Sequence, residues 1–128
     1  MTSSNCGAAD EIVLFASTTV PQSPGSPSQF TLTIPRREAY FTGTGDLFGA
    51  LLLVRLHENP LQLATAVELV VASVQAVLAT TVDAAGTAMK RQDGSAAISA
   101  ARELRLIQSQ DAILRPLVLH KATPAVLC

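Results

Sequence analysis

Phe41-Thr42-Gly43-Thr44-Gly45-Asp46-Leu47-Phe48 joins two different kinds of sequence. Ahead of it, Ala39-Tyr40-Phe41 reads as a short extended segment. After it, Leu47 to Val54 is apolar on every side, the mark of a helix buried all round, and ends near His57-Glu58-Asn59 before Pro60. A glycine turn at the start of such a helix has a definite chemistry. Glycine takes backbone angles other residues avoid and lets a ligand approach the main chain. The first N–H groups of a helix have no internal partner and lie at the positive end of its dipole, so the turn is an anion site. An Asp beside it can take the proton from a hydroxyl attacking a phosphoryl group, a reaction that needs mainly positioning and charge stabilisation. The same four residues, Gly43 to Asp46, also read as a plain strand-to-helix turn whose Asp caps the helix or complements its dipole. No Gly-x-x-x-x-Gly-Lys-Ser/Thr is present, which disfavours a Walker-type NTPase, and no His-plus-Cys or Ser-plus-His pattern points to hydrolysis.

Upstream of this turn, Glu11 to Ala16 is an apolar run with β-branched and aromatic members and reads as a buried strand. Residues 18–29 form a Pro/Ser-rich loop. Gln29 to Ile34 alternates, with Phe30, Leu32 and Ile34 on one face and Thr31 and Thr33 on the other, as in a half-buried strand. The two strands form a long-looped hairpin. Downstream, Leu61 to Thr81 is a second helix, with Leu63, Ala66, Val67, Val70, Val74, Val77 and Leu78 as its apolar stripe. Its valines lower helix propensity, so packing must hold it. Asp83-Ala84-Ala85-Gly86 ends it or begins the next connection. Gln92 to Ser95 is a turn whose Ser95 caps a third helix, with Ile98, Ala101, Leu104 and Gln108 on one face. Pro116 to Ala122 is an extended tail. Two strands and two amphipathic helices are little cover for the apolar helix after Asp46.

Composition narrows the class. The 128 residues suit one domain, and 48% hydrophobic against 15% charged is enough to bury a core. Net charge is −1 with scattered basic residues, which argues against nucleic-acid binding. Cys6 and Cys128 make neither a metal spacing nor a disulfide framework and read as free thiols. The longest apolar stretch, Leu47 to Val54, is shorter than the roughly 20 residues a bilayer span requires. No signal-peptide pattern is visible, so a soluble cytoplasmic protein with no membrane partner is expected.

The string Phe41 to Phe48 resembles the signature of pyridoxal kinases, in the ribokinase-like superfamily. Glu103-Leu104-Arg105-Leu106-Ile107-Gln108-Ser109 resembles that family's C-terminal Leu-Arg-x-x-Gln-Ser element, and Thr2-Ser3-Ser4 its nucleotide-contacting Thr-Ser-Ser. The resemblance implies an α/β fold: the C-terminal part of a ribokinase-like domain, with a short β-hairpin and strands, three helices and an extended tail. It implies ATP-dependent phosphorylation of pyridoxal and related vitamers at the 5'-hydroxyl. Asp46 is then the catalytic base and contacts substrate, as does Gly43. The Gly43, Thr44 and Gly45 backbone holds the transferring phosphate. Thr44, Thr2, Ser3, Ile34, Pro35, Arg36 and Arg37 contact ATP. For Thr2 and Ser3 an ordinary exposed start, and for Arg36 and Arg37 plain surface charge, are the competing readings.

The family also implies Mg2+, with its acidic residues in an N-terminal half that holds the vitamin, and a homodimer. Residues 1–128 are therefore expected to be a truncated C-terminal part of a kinase domain. Two features depart from the pattern: the family is more than twice this length, and the hairpin loop here carries no basic residue. The alternative function is a non-catalytic nucleotide-binding or interaction remnant of a ribokinase-like kinase.

Overall fold

The computed structural model describes residues 2–4, 10–37, 41–90, 94, 96, 100 and 103–125, with backbone alone at 2–4 and 88–90. The hairpin expected from the alternation is present. Strands β2 (Glu11–Ser17) and β3 (Gln29–Pro35) pair antiparallel, with Leu14 opposite Leu32 and Ala16 opposite Phe30. Strand β1 (Thr2–Ser4) adds to β2, and β4 (Thr123–Pro124), which the sequence did not announce, adds to β3. The sheet order is β1-β2-β3-β4, antiparallel throughout.

Two main helices pack on this sheet: α1 (Thr44–Glu58) and α2 (Leu63–Lys90). Every residue of the expected α2 stripe is buried. Leu63, Val67 and Val71 meet Ala16, Phe30 and Leu32 on one face of the sheet. Further along, Val70, Val74 and Leu78 meet Phe41, Leu47, Phe48, Leu51, Leu52 and Leu104. α2 is thus the beam between sheet and α1.

The structure corrects four expectations. Asp83 to Gly86 does not end α2, which runs on to Lys90. One glycine costs a helix only about 1 kcal/mol against alanine, and here alanines surround it. The hydroxyls of Thr80, Thr81 and Thr87 also bond back to the carbonyls four residues earlier. Second, Leu104 and Arg105 are not helical. Glu103 is bridged to Thr42, and a 3-10 turn (Ile107–Ser109) and a short helix α3 (Gln110–Leu114) follow. Third, α1 buries no residue fully: Leu53 is 73% and Val54 53% exposed. Fourth, among the described residues, Leu63–Thr87, and not Leu47 to Val54, is the stretch long and apolar enough to cross a membrane by length and composition. Its apolar stripe is spent on the core described above. The segments at Ala39-Tyr40 and Gln92-Asp93, the cap at Ser95, Ile98 and Ala101 of the third helix, and both cysteines lie outside the described residues.

Candidate functional site

Gly43 is the N-cap of α1, with φ 86° and ψ 2°, in the left-handed region. Its carbonyl accepts the first helical bond, from Leu47 N–H at 3.0 Å. The N–H groups of Thr44, Gly45 and Asp46 therefore fall in the first turn, where a helix offers no internal acceptor. No side chain caps this helix end. Of the two readings of Asp46, a hydrogen-bonding cap is thus not what forms. Asp46 lies in the first turn with its side chain exposed, complementing the dipole and free to meet a ligand.

The two glycines differ. A methyl on Gly43 would lie 3.8 Å from Leu104 Cδ1, ordinary contact, but the positive φ strains any L side chain there. At Gly45 a methyl would meet nothing within 4 Å. Nothing in this chain requires Gly45 to be glycine; open space over the N–H groups of a helix start is what an incoming anion uses.

The flanks of the turn hold it in place. Phe41, Leu47 and Phe48 pack on Val70, Val74 and Leu78 of α2. On the other side, Thr42 forms a parallel bridge with Glu103. Helical spacing of Leu104 with Ala101 and Gln108 masks this support in the sequence.

The other candidates sit on the sheet and are not joined to the turn by any described hydrogen bond. Thr2 is level with Phe15 and Thr31, whereas Ile34 is level with Ile12, three residues or about 10 Å further along the strands. Ser3 is opposite Leu14. The Ile34 side chain packs against the core cluster, and Pro35 ends β3. Arg36 N–H donates to Asp10 O at 2.8 Å. Arg37 Nε donates to Gln75 Oε1 on α2 at 3.3 Å.

No family model matches the chain. It is 45% identical over 96 residues to a pyridoxal kinase of Arabidopsis thaliana, covering 75% of this chain and 29% of the relative. It is 35% identical over 103 residues to a pyridoxal kinase of Sus scrofa, covering 80% and 31%. In structure it matches pyridoxal kinase from Leishmania donovani in complex with ADP and pyridoxamine, at 28% identity and TM-score 0.65, covering 91% of this chain and 35% of that one. The chain spans about a third of the length of these relatives.

Proposed function

From a chain that is similar, in sequence and in fold, to a part of pyridoxal kinases, we propose that it supplies the phosphate-handling part of an ATP-dependent kinase for pyridoxal and related vitamers. The observation that carries this is the turn: a left-handed Gly43, first-turn N–H groups without helical acceptors, open space at Gly45, and Asp46 exposed beside them. In this reading Gly43, Thr44 and Gly45 hold the transferring phosphoryl group through their N–H groups. Asp46 takes the proton of the 5'-hydroxymethyl as its oxygen attacks phosphorus, and ADP leaves. Thr2, Ser3, Ile34, Pro35, Arg36 and Arg37 line the nucleotide side, with Ile34 contributing backbone only. Support comes from relatives named for this activity and from the ADP in the solved neighbours.

Mg2+ accompanies the nucleotide in this proposal. Among the described residues no group of three or more His, Cys, Asp or Glu would hold a metal, so no step here passes through it. The proposed setting is a cytoplasmic homodimer, with residues 1–128 as one C-terminal part of the kinase domain. The test is Asp46→Asn in the whole kinase. Removing a general base should lower kcat by roughly 10²–10⁴-fold while ADP binding persists. A near-normal kcat would overturn the base assignment.

The solvent exposure of Asp46 favours a second reading, a nucleotide-binding module without turnover. ADP binding by a whole protein that never phosphorylates pyridoxal would select it.

A further inference from the structure

We propose that Thr81 is a positioning residue for the anion-binding turn, acting through the strip Glu103–Arg105; its catalytic consequence rests on the kinase reading above. The turn has no cap of its own, since no side chain bonds the start of α1 and Gly43 is held in a left-handed conformation. What fixes its height must come from outside. Glu103 bridges to Thr42, and Leu104 reaches to within 3.8 Å of the place a Gly43 methyl would occupy, while packing with Phe41 and Leu47 on α2. Among the described residues, the strip is in turn tied to α2 at one polar point. Arg105 N–H donates to Thr81 Oγ1 at 3.1 Å, and the same hydroxyl donates to Val77 O at 2.8 Å.

Thr81 is fully buried, one turn beyond Val77 on α2. A hydroxyl that both donates and accepts has its oxygen held from two sides. The helix therefore sets where Arg105 sits, Arg105 sets where Leu104 and Glu103 sit, and these bear on Thr42 and Gly43. Without the hydroxyl, Arg105 N–H loses its partner in a part-buried position and the strip is free to shift. A shift on the order of 1 Å in groups that align a reacting phosphate costs on the order of 100-fold in rate.

Thr81→Val keeps the volume and removes the hydroxyl; Thr81→Ser keeps the hydroxyl. In the full 128-residue chain, Thr81→Val should displace the NMR amide signals of Gly43, Thr44 and Gly45 and speed hydrogen exchange of the Arg105 amide roughly tenfold, leaving β2 and β3 amides unchanged. Thr81→Ser should restore them. Ser73→Ala, on the same helix but bonded to Ala112 O and Ile113 O, should leave the turn signals in place. If Thr81→Val fails to fold, Leu104→Ala removes the strip's apolar packing with Phe41 and Leu47 on either side of the turn and should give the same turn signature. Turn amides unmoved in the folded variants would overturn the proposal. Titration with ADP separates it from the kinase reading: wild-type chain that binds no ADP counts against the nucleotide assignment, while the amide data still decide the role of Thr81.

Discussion

A methyl group added at Gly43 and one added at Gly45 should have opposite effects on stability. Gly43 has φ 86°, where a side chain costs about 1–2 kcal/mol, so Gly43→Ala should lower the urea midpoint even though Leu104 leaves room. Gly45 is helical and faces open space, so Gly45→Ala should stabilise α1 by up to about 1 kcal/mol. In the proposed site both changes alter the turn that would receive the phosphate, so ADP binding should weaken in both variants. A Gly45→Ala chain that is more stable yet binds ADP normally would show that nothing approaches the backbone there. Stability and binding moving in opposite directions would separate a ligand-facing glycine from a conformational one. The sequence pattern puts both glycines in one candidate turn but does not separate their reasons, because φ and the position of Leu104, about sixty residues away, are properties of the fold.

Between elements, three polar latches hold the C-terminal segment, and none is legible in the sequence. Arg55 of α1 donates from Nη2 to Ile113 O and Leu114 O, at the end of α3, where free carbonyls gather. Ser73 of α2 donates to Ala112 O and Ile113 O. Arg55→Met keeps the apolar stem but strips these acceptors of a charged donor. It should cost about 1.5–3 kcal/mol in urea denaturation and loosen the Arg115 amide, which bonds Asp111 O. The pair of Arg55 with the half-exposed Glu58 should matter little. Further on, Glu68 accepts Ala122 N–H at 2.8 Å and Lys121 Nζ at 3.2 Å, just before β4. Glu68→Ala should therefore release β4: the Ala122 and Ala125 amides, the latter bonded to Gln29 O, should exchange faster while β2 pairing holds. Period-two alternation and the α2 stripe could be read because each repeats over many residues. β4 is two residues long and exists only by pairing with Phe30 and Thr31, so no local pattern marks it. Leu104 and Gln108 fall outside an α-helix for the converse reason: they keep helical spacing, but Thr42 and Thr81 bind the backbone beside Leu104.

At the scale of the molecule, the sequence poses a packing problem that the structure leaves visible. α1 is apolar on every side, yet only one side meets α2, and Leu53 and Val54 stand in water together with Leu114, Leu117 and Leu119. Soluble chains rarely keep large apolar surfaces uncovered without a use for them. The start of α1 shows the matching condition: Gly43, Gly45 and Asp46 are all exposed, whereas the proposed phosphoryl transfer gains from a site that excludes water. The relatives are about three times as long as the region matched here. Two results should follow for the 128-residue chain studied by itself. It should form no pyridoxal phosphate from pyridoxal and ATP, even where ADP binds. It should also self-associate in sedimentation velocity, and Leu53→Gln with Val54→Gln should shift it toward monomer with little change in urea midpoint, because these side chains are mostly exposed already. A large drop in midpoint would mean that Leu53 and Val54 are packed within the chain. Robust product formation would mean that the open turn, Asp46 included, is already a complete catalytic site and that water exclusion is not what the rest of a longer kinase contributes.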